Sequence, residues 1–321
     1  MMKDTRIAFE SGLKGLEPDL WVDQLDAIAD DLGYFEPLGD NHMVAFIDAG
    51  PKLLVTFEDA EIIRKHYPDA EPRGFKFVRE EGWSHLAIIS DSESWFRDPA
   101  IFGYFDRLID DGFFEDFDKV LFHGANAAGY AAAAYSVAAP GCTVLAIRPQ
   151  ATLDPRITGF DPRHTEQRRN DFTSRYGYAP DMIDATQEAF IAFDPLLQMD
   201  AVHAALFTRK NMTPLRCVCM GDRLEFSLDE LDIHNEMIRN AMDDTLDTAS
   251  FAKLIRARRS HIRYRRGLFS QMIRRDHPVL AANVAAYVLR EGPDGFFSKK
   301  LEELLAKGHN PTIPFNIEAA E

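Results

Sequence analysis

The sequence predicts a three-layer α/β domain built on a mostly parallel sheet and followed by a helical appendage. Short, continuous apolar runs begin at Leu86, and such runs are typical of strands that are buried on both faces of a sheet. Segments with helical spacing alternate with these runs, which favours parallel strands joined by crossover helices. From Leu228 to the C-terminus, apolar residues recur every three or four positions, so we expect only helices there.

The composition is that of an ordinary globular protein. The chain has 321 residues, of which 46% are hydrophobic and 27% charged, so one large domain with a sizeable core is expected. A net charge of −16 argues against general nucleic-acid binding. Met1–Gly15 lacks the apolar core of a signal peptide, and no segment predicts a membrane span. With three cysteines, we expect a reducing, cytoplasmic setting and no disulfide framework.

Five elements are predicted in the first part of the chain. Trp21–Leu32 has apolar residues at helical spacing, and Pro99–Asp110 repeats that pattern. Met43–Asp48 and Lys52–Phe57 are apolar runs joined by Ala-Gly-Pro, which predicts a hairpin. Leu86–Ile89 is a short apolar run and therefore predicts a buried strand.

Residues 119–135 are the most informative stretch of the chain. They predict a buried strand at Val120–His123, a turn of small residues at Gly124–Gly129 and a closely packed helix through Ala131–Ala134. This is the pattern of a nucleophile elbow, in which a sharp strand-to-helix turn lifts one side chain above a parallel sheet. The tip of a working elbow would carry Ser, Cys or Asp, and here it carries Asn126.

The later pattern continues the alternation of strands and helices. Strands are predicted at Thr143–Ile147, Phe190–Phe193 and Leu215–Met220, and a helix at Met199–Phe207. Between the first two of these strands, residues 154–185 are polar and weakly periodic, which predicts a lid-like insertion over the carboxyl edge of the sheet. The predicted organisation is a helical lead-in at residues 1–40, the α/β domain at 41–225 and the helical appendage at 226–321.

The elbow resembles that of the α/β-hydrolase fold, and more narrowly that of a divergent branch found among bacterial polysaccharide and secretion-accessory proteins. Members of that branch carry a Gly-x-Ser-Met-Gly-Gly-Tyr-x-Ala elbow and a following strand that ends in Ser-Pro-Gln. The matching segments here are Gly124–Ala132 and Ala146–Gln150, the second of which reads Ala-Ile-Arg-Pro-Gln. The resemblance covers about Val44 to Arg223, leaves out the tail from Leu228, and implies a three-layer α/β-hydrolase-like fold.

The resemblance also implies where a catalytic triad would stand, and two of its three positions do not match. The nucleophile position falls on Asn126, whose amide cannot be made a nucleophile; this residue either maintains the strained turn or holds a ligand carbonyl or hydroxyl. The acid position falls on Asp194, although Asp before Pro is also a common turn device. No histidine follows Met220 at the base position, which leaves His203 as the candidate base.

Six further residues around the elbow are candidates for binding a ligand. Backbone N–H groups beside the turn can act as oxyanion-hole donors, whereas a carboxylate in the preceding loop would repel an anion. Arginine and tyrosine in the insertion suit sugar or phosphate recognition through bidentate hydrogen bonds and stacking, and a solvated lid face is the alternative. The candidates are Gly124, Ala127, Glu58, Arg148, Arg168 and Tyr176.

A basic segment lies in the helical appendage. Phe251–Arg290 holds ten Lys or Arg residues against one acidic residue, so it carries a charge of +9 and the rest of the chain −25. One interpretation is a helical face that is solvated or that pairs with acidic residues of the same protein. The other is an anion site, or a surface for an acidic protein partner, in the region Arg256–Arg275.

The residues leave three functions open, and with them whether any catalysis survives. The first is a catalytically degenerate α/β-hydrolase-like protein, a pseudoenzyme that binds a small molecule, a carbohydrate or a protein; its link to surface carbohydrate production rests on the resemblance alone. The second is an active, esterase-like hydrolase with a rearranged site around Asn126, Asp194 and His203. The third is an interaction module in the basic helices. No cofactor is predicted because no phosphate-binding glycine loop is present, and no metal because Cys217 and Cys219 would face opposite ways on a strand.

Overall fold

The structure, a computed structural model, describes residues 9–314. Eight strands in this range form one sheet with the order β1-β2-β4-β3-β5-β6-β7-β8. β2 runs antiparallel to β1 and to β4, and every other pair of neighbouring strands is parallel, which confirms the prediction of a mostly parallel sheet. The strands are β1 (Gly33–Leu38), β2 (His42–Ile47), β3 (Lys52–Asp59), β4 (Ser84–Ser90), β5 (Lys119–Ala125), β6 (Thr143–Ile147), β7 (Glu188–Phe193) and β8 (Met212–Arg216).

Helices connect the strands and continue after the last one. The helices predicted around Trp21–Leu32, Pro99–Asp110, Ala131–Ala134 and Met199–Phe207 are all present. In the described residues, the α-helices are α1 (Pro18–Leu32), α2 (Ala60–His66), α3 (Phe75–Glu81), α4 (Pro99–Asp110), α5 (Ala127–Tyr135), α6 (Pro155–Thr158), α7 (Ala179–Met182), α8 (Gln198–Leu206), α9 (Leu224–Glu230), α10 (His234–Met242), α11 (Thr248–Leu254), α12 (Ile262–Arg274), α13 (Pro278–Glu291) and α14 (Gly295–Leu305).

Two apolar cores cover the two faces of the sheet. On one face, Trp21 of α1 and Ile63 of α2 are buried in the same cluster as Ile47 of β2. On the other face, α4 and α5 pack against strand residues such as Phe57 and Phe122. Successive side chains of a strand point to opposite faces, so a strand buried on both sides is apolar throughout. This explains the continuous apolar runs in the sequence.

The predicted hairpin between the second and third strands is wrong. β2 and β3 are not neighbours, because β4 lies between them in the sheet. All six residues of β2 are buried, and it obtains a hydrogen-bonding partner on each side from β1 and β4. β1 was missed in the sequence because its residues alternate only weakly and include Pro37, which is tolerated there since β1 is an edge strand.

The segment between β6 and β7 contains only short helices and turns, and its role as a lid-like insertion stays a prediction. Arg97, in the loop after β4, holds it through a 2.7 Å hydrogen bond from Nε to the carbonyl of Asp171. The Arg97 guanidinium also lies over the rings of Phe102 and Phe172, 4.7 and 5.6 Å from their centroids. Charge and stacking together therefore attach the insertion to the sheet domain.

The last strand lies nearer the N-terminus than predicted, because β8 spans Met212–Arg216 and the prediction was Leu215–Met220. β8 ends at Arg216, so Cys217 and Cys219 do not lie on a strand, and Cys219 has a left-handed φ of 63°. Both thiols and that of Cys142 are buried and reduced. Hydrophobicity alone predicted the extension, whereas the residues after Arg216 leave the sheet.

The chain divides into two compact units. The first comprises the residues up to Phe193 together with Gln198–Arg216 and Asn235–Phe251, and it contains the whole sheet. The second comprises Asp194–Leu197, Cys217–His234 and the residues from Ala252 onward.

The second unit has an apolar core of its own, in which Phe269 of α12, Ala285 of α13 and Phe297 of α14 are buried together. By sequence, it holds fourteen basic and thirteen acidic residues, a net charge of +1, so the first unit carries −17. None of the described helices is both long enough and apolar enough to cross a membrane.

Candidate active site at the elbow

The turn between β5 and α5 has the backbone of a nucleophile elbow. Asn126, at its tip, adopts φ 56° and ψ −119°, a conformation that non-glycine residues rarely adopt. The turn is held from below by a 2.8 Å hydrogen bond from the Asn126 N–H to the carbonyl of Ile147, at the end of β6. The tip therefore stands at the carboxyl edge of the parallel strands, where ligand sites of α/β proteins are found.

Glycines on both sides of the tip allow α5 to approach the sheet. A Cβ on Gly124 would lie 2.3 Å from the carbonyl oxygen of Ala128, which no structure tolerates without movement. A Cβ on Gly129 would lie 3.0 Å from the Ile147 oxygen and 3.2 Å from that of Gly124. The small residues recognised in the sequence are thus required by the closeness of strand and helix.

The side chain of Asn126 is available to a ligand. It is half-buried, does not cap α5, and has no hydrogen-bond partner among residues 9–314. The first backbone N–H groups of α5, from Ala127 onward, have no acceptor within the helix, and the helix dipole makes this end positive. The tip thus presents an amide and helix N–H groups, but no atom that can be turned into a nucleophile.

His203, the candidate base, is completely buried and both its ring nitrogens are engaged. Its Nδ1 accepts a 3.0 Å hydrogen bond from the N–H of Ala151, so the proton resides on Nε2, which donates to Asp161 Oδ2 at 3.0 Å. Burial lowers the pKa of His203, and the hydrogen bond to Asp161 opposes this only in part. Burial alone would raise the pKa of Asp161, but its hydrogen bonds with Arg163 hold that pKa at about 2.

Arg148 follows β6 directly and belongs to a buried ion-pair network. Its Nε donates to Asp200 Oδ2 at 2.6 Å, and Arg163 donates to the other oxygen of Asp200 at 2.7 Å. Since Arg163 also binds Asp161, the network joins the end of β6, the insertion and α8. Arg148 itself has a left-handed φ of 50°, so its backbone is strained beside the elbow.

Glu58, near the end of β3, is buried and held by its own part of the chain. It accepts hydrogen bonds from the hydroxyl of Thr56 and, at 3.0 Å, from the N–H of Arg73. His85 of β4 lies 3.9 Å from the same carboxylate and shares Thr56 as a partner. This carboxylate is therefore part of a polar cluster inside the protein.

The two predicted ligand-binding residues of the insertion hold the insertion in place. The guanidinium of Arg168 donates to the backbone carbonyls of Thr158, at 3.2 Å, and of Asp161. Tyr176 is buried against the elbow helix, and its carbonyl accepts a 2.6 Å hydrogen bond from the hydroxyl of Tyr130 on α5. Neither contact involves a ligand, and the roles predicted for both residues stay predictions.

Asp194, at the predicted acid position, belongs to the second unit. It is buried, and its two oxygens accept hydrogen bonds from the N–H groups of Leu196, at 3.0 Å, and Gly221, at 2.8 Å. It borders a cavity of about 300 Å³ whose other charged lining residues are Asp222, Arg223, Arg263 and Arg274. The cavity joins three arginines that are up to 51 positions apart in sequence, a grouping that no local pattern indicates.

No protein-family model matches the chain, and no curated protein is similar to it in sequence. Among solved structures, it is similar to the capsule O-acetyltransferase of Neisseria meningitidis serogroup A, with 12% identity, 64% of this chain and 94% of that one covered, and a TM-score of 0.42. The hyperthermophilic esterase from Pyrobaculum calidifontis is 13% identical, with 78% and 93% covered and a TM-score of 0.40.

The carboxylesterase EstE1, from a metagenomic library, is 12% identical, with 75% and 98% covered and a TM-score of 0.42. Independently of these likenesses, the sheet order and the strained elbow between β5 and α5 establish the architecture from the chain itself. The chain therefore has an α/β-hydrolase-like architecture, with asparagine at the tip of its elbow.

Proposed function

We propose that this protein is catalytically degenerate at its elbow and binds a small polar ligand there without attacking it. The observation that carries the proposal is Asn126, a non-glycine residue in a strained conformation whose amide has no hydrogen-bond partner in the described residues. Such strain costs of the order of 1–3 kcal/mol and persists where the surrounding structure imposes it, often at functional sites. A free amide held in that way is suited to binding.

The groups at the tip define the ligand chemistry. The carboxamide of Asn126 both donates and accepts hydrogen bonds, and the N–H of Ala127 at the positive end of α5 donates. A ligand with a carbonyl oxygen beside hydroxyl groups satisfies all three, and an N-acetylated sugar has this arrangement. The carbohydrate link implied by the resemblance in the sequence is consistent with that class.

The contacts of His203 favour binding over hydrolysis around Asn126, Asp194 and His203. To act as a base, His203 would have to accept a proton at Nδ1 and so release the N–H of Ala151, which is buried. Leaving a buried donor without a partner costs about 1–3 kcal/mol. We therefore expect His203→Ala to reduce stability and not to abolish any specific ester turnover.

Saturation-transfer NMR with N-acetylglucosamine tests the binding proposal directly. Wild type should transfer magnetisation to the sugar, and Asn126→Gly, which keeps the turn but removes the amide, should not. Asn41→Gly is the matched control, since Asn41 lies exposed in the turn before β2, and it should behave as wild type.

Two results would contradict the proposal. One is saturation transfer that is as strong in Asn126→Gly as in wild type. The other is hydrolysis of short acyl nitrophenyl esters that disappears in both Asn126→Gly and His203→Ala, which would establish the rearranged active site instead.

A second candidate function concerns the cavity of the second unit, where Arg223, Arg263 and Arg274 come together. Asp194 is occupied by two backbone N–H groups, and Arg274 has no ion-pair partner among residues 9–314. Arginines that converge on a concave surface suit a small anion with several oxygens, such as a phosphate or a carboxylate. This favours the anion-site interpretation of the basic segment over a purely solvated face.

Isothermal titration calorimetry with inorganic phosphate and with citrate tests this second function. Wild type should bind one of the two anions, and Arg274→Ala should weaken binding by about tenfold, as expected for one charged hydrogen-bonding partner. Arg259→Ala removes an exposed arginine of the same basic segment that does not line the cavity, and it should leave the affinity unchanged. Equal weakening in both variants would indicate a diffuse charge effect and would exclude the site.

A further inference from the structure

A serine and a histidine meet at the carboxyl edge of the sheet, outside the elbow. Ser94 lies in the loop after β4, and its Oγ is 2.5 Å from Nε2 of His42, the first residue of β2. His42 stands opposite Ser90, the last residue of β4, in the antiparallel register. Since β4 and β3 are parallel and end together at Ser90 and Asp59, the pair lies at the same edge of the sheet as the elbow.

A carboxylate faces the other side of the imidazole. Asp98 Oδ2 is 3.9 Å from His42 Nδ1, and this buried nitrogen makes no hydrogen bond within the described residues. Asp98 is fixed as the N-cap of α4, where its Oδ1 accepts a 2.8 Å hydrogen bond from Ala100. A proton on Nδ1 is favoured by the facing carboxylate, and this leaves Nε2 as the acceptor for the Ser94 hydroxyl.

The surroundings suit a neutral base and a reachable hydroxyl. His42 is 3% exposed; burial lowers its pKa, while Asp98 and the backbone of Leu38 partly oppose this, so the imidazole is kept in the form that accepts a proton. Ser94 is only half-buried. The two residues after it, Trp95 and Phe96, both have a left-handed φ of 56°, so the loop that presents the serine is strained.

We propose that Ser94 is a nucleophile activated by His42, with Asp98 as a positioning residue, and that it reacts with small acyl esters. The pair shows the signature of an activated nucleophile, namely a hydroxyl within hydrogen-bonding reach of a base that a third group orients. The proposal goes beyond ligand binding at Asn126, because it assigns chemistry to a different loop of the same sheet edge.

The reaction balances with water as the co-reactant. Ser94 Oγ attacks the acyl carbon and forms a C–O bond while its proton passes to His42 Nε2. The bond to the alcohol then breaks, and His42 returns that proton to the departing alkoxide. Water, deprotonated by the same nitrogen, attacks the acyl-serine, releases the carboxylic acid and restores the Ser94 hydroxyl.

A fluorophosphonate probe tests the nucleophile without knowledge of the substrate. The probe forms a P–O bond with a reactive serine and releases fluoride, and peptide mass spectrometry locates the adduct. We expect one adduct on wild type, at Ser94, and none in Ser94→Ala. Labelling of His42→Gln should be slower by about 100-fold, the usual effect of losing a general base. Ser92→Ala, a matched half-buried serine of the same loop, should label as wild type.

Wild type alone can overturn the proposal, whether or not the buried His42 tolerates substitution. Exhaustive exposure to the probe that leaves Ser94 unmodified, or that modifies a different serine, contradicts it. So does a folded His42→Gln protein, checked by its melting temperature, that reacts at the wild-type rate. The elbow proposal is tested by saturation transfer to the sugar and this one by the identity of the labelled serine, so a failure of one is distinguishable from a failure of the other.

Discussion

At the tip of the elbow, substitutions of Asn126 can distinguish the strain of its backbone from the chemistry of its side chain. With φ at 56° and ψ at −119°, Asn126 stands where a glycine is at ease and an alanine is not. We therefore expect Asn126→Gly to have a free energy of unfolding about 1 to 2 kcal/mol higher than Asn126→Ala, measured by urea denaturation. At Ala131, within α5, the order should be reversed: the protein with alanine should have a higher free energy of unfolding than the one with glycine, because glycine destabilises a helix.

If Asn126→Ala were as stable as Asn126→Gly, the turn would be able to relax and the strain would have no structural cause.

The position of Asn126 was predictable because the elbow is local, with strand, turn and helix contiguous in sequence. The pairing of His42 with Ser94 was not, since 52 residues and the reordering of β3 and β4 lie between them.

A second prediction at this scale concerns His85, which is buried in β4 with Thr56 as its hydrogen-bond partner, 2.8 Å away. Burial lowers the pKa of His85 from 6.5 to about 3. Between pH 6.5 and about 3, His85 is therefore protonated in the unfolded chain and neutral in the folded protein. The free energy of unfolding consequently decreases as pH falls below 6.5. This histidine alone should cost about 1.4 kcal/mol per pH unit in that window.

Urea unfolding of wild type and His85→Gln at pH 7, 6 and 5 measures this effect, because groups common to both proteins cancel in the difference. The variant should lose less stability on acidification than wild type, although it is less stable at pH 7. Parallel pH dependences of the two proteins would mean that His85 does not titrate on unfolding.

At the scale of elements, the approach of α5 to the sheet depends on Gly124. A methyl group there meets the carbonyl of Ala128 at 2.3 Å, so Gly124→Ala must displace the first turn of α5. We expect it to lower the free energy of unfolding by about 3 kcal/mol, in the range of overpacked or strained positions. Thermal and urea unfolding measure the loss.

Gly103→Ala in α4 is the control, because a Cβ there meets no atom within 4 Å and alanine favours a helix. It should be stabilised by about 0.5–1 kcal/mol. If Gly124→Ala had the same free energy of unfolding as Gly103→Ala, α5 would be able to move away from β5 at the elbow without loss of stability.

The elements themselves were largely readable from the sequence, and their pairing was not. The runs around Leu86, Val120 and Thr143 became strands at the expected places, because burial on both faces leaves a continuous apolar signal. The predicted hairpin failed because two adjacent apolar runs look alike whether they pair directly or accept another strand between them. In this sheet β4 lies between the two runs, and its residues are 25 or more positions beyond the end of β3 in the sequence.

At the scale of the whole molecule, the charge distribution distinguishes a small anion from a polyanionic partner. The basic segment Phe251–Arg290 carries +9, yet the second unit, which contains all of its charged residues, holds thirteen acidic residues against fourteen basic ones. Several of the arginines pair inside that unit, as Arg265 does with Glu291 and Arg266, at 3.9 Å, with Asp294. Sequence counting over the segment alone missed these partners because they come from α13 and the start of α14.

We therefore expect the full chain to pass through a heparin column at about 0.15 M NaCl. A polyanion such as heparin binds through many cationic side chains at once, so its retention depends on the summed charge of a protein face. Arg265→Ala leaves the overall charge more negative and should elute in the same way. Retention of wild type that Arg265→Ala and Arg259→Ala each reduce would contradict this expectation. It would show that the basic helices bind an extended acidic partner, and that the three arginines of the cavity are only part of a larger surface.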